Sequence, residues 1–249
     1  VSIWNLGNEP DLFALPPDEK TGQEWVRDMS KLIRSLDPNH PVTCGLHAMS
    51  LTDRNNLRID QVFAHTDIAV MHAYPMYSGI ARHPLDPDFV PFTCALVTAL
   101  CGKPALMEEF GGCTVPDGGA STVWKWNMYG KDVEQFMAGE EEFAEYIGNV
   151  LPNLVDVGAT GALLWCFADY DPMIWDKPPC DEVVHERHFG LVRPDGSIKP
   201  HAEVVKKFAA TKPMVKPAVR KVDLDISPDK YYSAPAEHME RLYRKFLGE

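Results

Sequence analysis

The sequence predicts a parallel α/β fold, and three observations carry that prediction. Short apolar runs with strand character alternate with helical patterns along the chain; no Gly-x-Gly-x-x-Gly turn interrupts them; and the ends of the strand-like runs carry Asn, Glu, His, Tyr and Trp side chains. Strand–helix–strand alternation implies right-handed βαβ units, so the sheet is either a doubly wound open sheet or part of a (β/α)8 barrel. The absence of the nucleotide-binding turn weighs against the first, and polar side chains at strand ends suit the second, where chemistry sits at the carboxyl ends of the strands.

Five runs read as buried parallel strands: 1–8, 41–47, 66–74, 104–110 and 160–167. Each is β-branched or apolar and bounded by Gly, Pro or polar turns. Between the first two, a helix is expected from about Asp18 to Leu36, with Trp25, Val26, Met29, Leu32, Ile33 and Leu36 as the stripe that packs on the sheet. Asp37-Pro38 stops it. A second stripe, Leu96, Val97 and Leu100, ends at Gly102; a third, Phe143, Ile147, Val150, Leu151 and Leu154, precedes the fifth strand. The texture then changes. Residues 1–211 form the expected catalytic unit, and 212–249 a Pro-rich tail whose last helix, carrying Met239, Leu242, Tyr243 and Phe246, docks on its exterior.

At 249 residues and 45% apolar composition, the chain has enough material for one sizeable core. Its net charge of -12 repels phosphate backbones and anionic headgroups, which disfavours nucleic acid and membrane surfaces as partners. No apolar run approaches the roughly 20 residues that span a bilayer. The chain begins at Val1 inside a strand pattern, so a preceding segment is expected; neither a cytoplasmic nor a secreted location is favoured. The six cysteines require no bridge, a Cys113–Cys180 loop disulfide being the alternative. The run His185-Glu186-Arg187-His188 lacks the spacing of a zinc helix and reads as a solvated loop. No strand end is expected to cluster three metal ligands, and no cofactor or metal is implied.

Glu9 and Glu109 end two of the strand runs, 100 residues apart in sequence. Glycoside hydrolysis needs two carboxyl groups flanking the scissile bond, one protonated and one ionised. The segment Trp4-Asn5-Leu6-Gly7-Asn8-Glu9-Pro10 resembles the Asn-Glu-Pro motif ending strand four of the clan A glycoside hydrolases, the group with the family 5 cellulases and mannanases. Met107-Glu108-Glu109-Phe110-Gly111 is similar to the strand-seven Glu-Phe-Gly motif, and His72-Ala73-Tyr74 to the strand-six His-x-Tyr. Trp165 matches the strand-eight Trp, and the run from Phe189 to Pro200 resembles the exit from the last strand. Order and spacing together make the resemblance specific.

That resemblance implies an incomplete TIM-type (β/α)8 barrel of roughly strands four to eight and a retaining hydrolase without cofactor. Glu9 would be the acid/base and Glu109 the nucleophile; Asn8 would bind the sugar 2-hydroxyl, Tyr74 would hydrogen-bond the nucleophile, and Trp165 would form a sugar platform. His72 and His47 join them as substrate-binding candidates. Each residue also has a plainer reading: Glu9 as a helix-start carboxylate, His47 and His72 as core histidines, Trp165 as filler of the barrel mouth. Glu108 is expected on the opposite strand face from Glu109. Trp124, Trp126 and Trp175 either line subsites or pack loops, and Asp169-Tyr170-Asp171 suits hydroxyl recognition. The substrate would be a β-linked glucan, mannan or galactoside. Five strands do not close an eight-stranded barrel, so an exposed edge covered by self-association is expected. A catalytically inactive carbohydrate-binding or structural fragment is therefore the competing reading. An open-sheet hydrolase lacks the Gly-x-Ser-x-Gly turn it would need.

Overall fold

The computed structural model describes residues 1–249, the side chain of Asp117 excepted. Five parallel strands form its centre: β1 (Trp4–Asn8), β2 (Val42–Gly45), β3 (Ala69–His72), β4 (Ala105–Gly111) and β7 (Ala162–Trp165). They coincide with the five runs the sequence singles out. β1 pairs with β2, and β3 with β4 and β4 with β7, all parallel. A parallel bridge between His47 and His72, with the His72 amide donating to Leu46 O at 2.9 Å, joins the two groups in the order β1-β2-β3-β4-β7. β2 and β3 are buried along their whole length, whereas the outer strands β1 and β7 are partly exposed. Among the described residues no strand pairs with the free edges of β1 and β7.

The helix Glu19–Leu36 begins where expected because the Asp18 carboxylate accepts the Thr21 amide proton at 2.7 Å. Its apolar stripe is only half used. Val26 is fully buried, but Leu32 is 50% and Leu36 78% exposed, with Trp25 and Met29 also in solvent. The expected packing of the whole stripe on the sheet is thus corrected: β1 is an edge strand, and nothing on its far side covers the outer half of the helix. The helix Phe89–Cys101, by contrast, is buried on nearly every side and ends at Gly102, whose φ of 69° is the left-handed conformation a C-terminal glycine supplies. The helices Glu140–Asp156 and Pro200–Ala210 pack against each other, the first also against Phe89–Cys101.

The tail is stapled to the core. Tyr231 and Tyr232 donate to Leu51 O and Ser50 O at 2.7 and 3.0 Å, and Tyr243, on the helix Pro235–Leu247, donates to the buried Asp86 at 2.7 Å. The last-strand exit is tied by a buried ion pair: Lys199 Nζ lies 2.7 Å from Asp169 Oδ1, which also accepts the Gly190 amide proton at 2.7 Å. Asp169 is therefore spent on structure and does not serve hydroxyl recognition. Cys113 and Cys180 are both free thiols, so the alternative loop disulfide is absent.

One element was not assigned from the sequence. β5 (Thr122–Met128) and β6 (Lys131–Met137) form an antiparallel hairpin closed by Tyr129-Gly130, both at positive φ (50° and 79°), the geometry of a two-residue primed turn. Trp124 and Trp126 stand on β5 and pack loops: Trp126 donates to Glu182 O at 2.7 Å, and the Trp124 ring meets the His188 ring edge-on at 5.5 Å. Trp175 likewise packs its own loop, donating to Tyr170 O at 2.8 Å beneath the Arg187 guanidinium.

Where β4 meets β7 the backbones approach closely, and a Cβ on Gly111 would lie 2.3 Å from Trp165 O. Gly111→Ala is expected to destabilise the fold by about 1–3 kcal/mol, as overpacking against backbone does. Urea unfolding of the two chains measures it, and an unchanged midpoint would refute this account of the contact.

Candidate active site

The carboxyl ends of β1, β3 and β4 converge on one buried imidazole. His72, fully buried, directs Nδ1 to Glu9 Oε1 at 3.0 Å and to Glu109 Oε2 at 3.5 Å, and Nε2 to Glu108 Oε2 at 3.1 Å. Glu9 reaches it from a strained backbone: φ 48°, ψ 47° is left-handed, a conformation that costs a non-glycine residue about 1–2 kcal/mol. The neighbouring Glu9 amide donates to Gly45 O at 2.8 Å, and Pro10 starts a short helix immediately after. This turns the carboxylate back across the strand ends. The register between β3 and β4 shifts at Met71/His72, and that between β4 and β7 shifts between Met107 and Phe110. These irregularities break the simple alternation that would have sent Glu108 and Glu109 to opposite faces; both reach His72 instead. Glu108 is held on its other oxygen by Asn5 Nδ2 at 3.0 Å.

Burial pulls the His72 proton affinity down, but the hydrogen bonds to Glu108 and Glu9 and the charge of Glu109 outweigh it, and the pKa rises to about 9. His72 is therefore an imidazolium at neutral pH, donating from both nitrogens. Burial raises the Glu109 pKa, with the Glu9 charge adding to the rise; His72 and the Tyr74 hydroxyl, which donates to Glu109 Oε2 at 3.0 Å, oppose it. One donor atom from each of Glu9, His72 and Glu109 lies within 4.8 Å of the other two. Three potential metal ligands do meet at the strand ends, contrary to expectation, because the barrel-like sheet brings together residues far apart in sequence. The same atoms pair with one another across 3.0 to 3.5 Å as an ion-pair network.

Glu9 and Glu109 open into a cavity of about 430 Å³. Asn8, Tyr74, Trp165 and His47 all line it, so the pocket gathers the site residues expected from the sequence apart from His72, which lies beneath it. The His47 ring stacks on Tyr74 at 6.5 Å, and burial lowers its pKa, leaving it neutral. Its amide donates to Asp11, a nearly buried carboxyl whose pKa burial raises to about 6 and which also accepts the Ser50 hydroxyl proton at 2.7 Å. The Trp165–Cys166 peptide bond is cis.

The far wall departs from the sequence reading. The 184–188 segment is a buried turn of 3-10 helix, not a solvated loop: His185 and His188 are over nine-tenths buried, and His185 and Glu186 line the cavity. Aromatic packing overrides the polarity of the run, with Trp126 5.4 Å from the His185 ring and Tyr77 OH 3.0 Å from His185 Nε2. Asn5, Glu108, Tyr77 and Glu186 were all missed. Asn5 and Glu108 flank motif residues and were legible only as neighbours; nothing local marked Glu186.

No family model matches the chain. It is 30% identical over 138 residues to mannan endo-1,4-β-mannosidase F of Aspergillus clavatus, an alignment covering 51% of this chain and 30% of that protein. A probable mannan endo-1,4-β-mannosidase F of Aspergillus flavus is 31% identical over 123 residues, 45% of this chain and 26% of its own. These similarities agree with the resemblance to the clan A glycoside hydrolases that the motifs carry. Among solved structures, a GH5_18 protein of Streptomyces cattleya in complex with GlcNAc superposes with a TM-score of 0.73 at 16% identity, covering 98% of this chain and 57% of that one. An exo-β-1,4-mannosidase of Opitutaceae bacterium strain TAV5 gives 0.65 at 24% identity, over 84% of this chain and 36% of that one. These structural matches establish the shared fold. The chain spans about 30% of the length of the first of these curated relatives.

A base whose pKa rises on folding stabilises fully below its unfolded value and loses that contribution as pH climbs through the folded value. His72 thus contributes stability in full below pH 6.5 and loses it through about 9. His72→Gln is expected to show its largest deficit, on the order of 3 kcal/mol, near pH 6, shrinking toward pH 10. Urea titrations of both chains across that range measure it; a deficit independent of pH would contradict a charged His72.

Proposed function

We propose that the chain carries the catalytic side of a retaining β-glycosidase acting on β-1,4-linked mannosides, with Glu9 as acid/base and Glu109 as nucleophile. The observation that carries this reading is the separation of the two carboxylates. Retaining glycosidases hold them about 5–5.5 Å apart and inverting ones about 6.5–9.5 Å, to leave room for a water. One oxygen of each carboxylate lies within 4.8 Å of the other, a close approach that supports the first arrangement. The mannoside is inferred from the relatives, named as mannan endo-1,4-β-mannosidases.

In this mechanism Glu9 protonates the departing glycosidic oxygen while Glu109 attacks the anomeric carbon, and the same Glu9 then removes a proton from the water that opens the glycosyl-enzyme. Tyr74 keeps Glu109 oriented and ionised. Trp165 offers an apolar ring for the sugar C–H face, and Asn8 a polar group at the same mouth.

We read the five parallel strands as strands four to eight of a (β/α)8 barrel, and the bare outer stripe of the helix Glu19–Leu36 as the face the remaining units would cover. A chain presenting that stripe alone self-associates through it. The competing reading, a fragment that binds sugar without cleaving it, is favoured only by the unpaired edges of β1 and β7.

Glu9→Gln and Glu109→Gln are each expected to lower kcat/KM on aryl β-mannosides by at least ~10²-fold, and Tyr74→Phe by about 10- to 100-fold. Initial-rate assays measure these, and proton NMR of the first-formed product reports retention. Activity surviving Glu109→Gln would overturn the role assignment. Sedimentation should show concentration-dependent association that Leu32→Glu reverses; a monomer at all concentrations would refute the self-association reading.

A further inference from the structure

The wall opposite the catalytic pair holds a third carboxylate that the mechanism does not use. Glu186 lines the same cavity as Glu9, Glu109 and Trp165, whose indole favours its ionised form, and lies 3.7 Å from His185 Nε2. It is partly buried, with 32% of its side chain exposed. Burial, with the charges of Glu9 and Glu109 adding to it, pushes its pKa up to about 7. His185 does not neutralise it: burial holds the His185 pKa down at about 4, and its Nε2 is engaged with Tyr77 OH at 3.0 Å. His185 Nδ1, in a side chain over nine-tenths buried, has no hydrogen-bond partner among the described residues. The residues lining the cavity include three carboxylates and neither Lys nor Arg.

A carboxylate kept at the edge of a sugar-sized cavity without a cation is costly to bury. That cost is offset when donors arrive from outside, and the hydroxyls of a neutral sugar are donors. The hairpin β5–β6 supports the wall from behind, through the Trp126 bond to Glu182 O and the Tyr129 amide bond to Glu182 Oε2 at 2.8 Å. Glu186 is thus presented from a braced turn.

We propose that Glu186 is a substrate-binding and specificity-determining residue: its carboxylate accepts hydrogen bonds from hydroxyls of the neutral sugar lying on Trp165, and its charge, added to that of Glu109, excludes sugars bearing a carboxylate of their own. This rests on the hydrolase reading above. The indole and the carboxylate line one cavity, which sets where the sugar ring and its hydroxyls sit relative to each other. A uronic acid ring would bring a fourth carboxylate into a cavity whose lining supplies no Lys or Arg to meet it.

The test is calorimetric binding of mannobiose and of a mannuronate disaccharide to the full chain carrying Glu109→Gln, which blocks turnover, with and without Glu186→Gln or Glu186→Asp. Glu186→Gln keeps an acceptor oxygen beside Trp165 and removes the charge; Glu186→Asp keeps the charge and withdraws the acceptor. Expected are mannobiose binding by the parent, its weakening at least tenfold in both variants, and uronate binding that appears only with Gln. In the chain with Glu109 intact, Glu186→Gln raises KM on a neutral aryl mannoside more than it lowers kcat, which a purely structural role would not produce. Unchanged mannobiose affinity in a folded Glu186→Gln or Glu186→Asp chain, or uronate binding as tight as mannobiose in the parent, overturns the proposal and leaves the hydrolase reading standing. Failure of the parent to bind any neutral β-linked disaccharide overturns both.

Discussion

A single buried cation organises this site. His72 sits at the end of β3 with Glu9 from β1 on one ring nitrogen and Glu108 from β4 on the other. Three carboxylates brought this close repel one another strongly in a partly dry environment. The imidazolium is what makes their convergence tolerable, and its two N–H directions dictate where they stand. The left-handed backbone at Glu9 and the register shifts around β4 are local costs that follow from that requirement. Removing either partner alone would leave an uncompensated buried charge, the expensive half of a buried ion pair.

Around this centre the burden is divided between a rigid sheet and supported loops. β2 and β3, buried along their length, hold His72 and the approach of His47. The loops beyond the sheet are braced by groups unrelated to chemistry: Lys199 with Asp169 at the last-strand exit, and the Trp124 and Trp126 rings behind the 184–188 turn. Tyr74 belongs to both systems. It donates to Glu109 and packs edge-on against Phe189 at 6.2 Å, so one wall of the cavity is continuous from strand end to loop.

The strands and the main helices were legible because their signals are local. Continuous apolar runs bounded by Gly and Pro marked β2, β3 and β4, and Asp18 and Gly102 marked the helix ends they cap. Glu9, Glu109, Tyr74 and Trp165 were legible because they sit in short motifs at strand ends. What escaped depends on contacts distant in sequence. Glu186 gains its place from Trp165 and from aromatic rings some 60 residues upstream on β5. Glu108 was assigned to the wrong face because strand alternation presumes an unbroken register. The hairpin could have been recognised: β5 alternates, and Tyr129-Gly130 stands between two runs of matched length. The half-bare stripe on the helix Glu19–Leu36 shows the complementary limit, since amphipathic periodicity reports which side wants cover and cannot say whether cover exists.

The hairpin β5–β6 and the 175–188 segment it leans on lie outside the repeating strand–helix units, attached to each other through Glu182 and to the sheet mainly at their ends. The cleft therefore has walls of two origins, one from the strand ends and one from the hairpin and the turn. A graft exchanging hairpin and turn as one cassette would replace that second wall while the strand-end residues kept their arrangement, a freedom that a wall built from the parallel strands themselves would not permit.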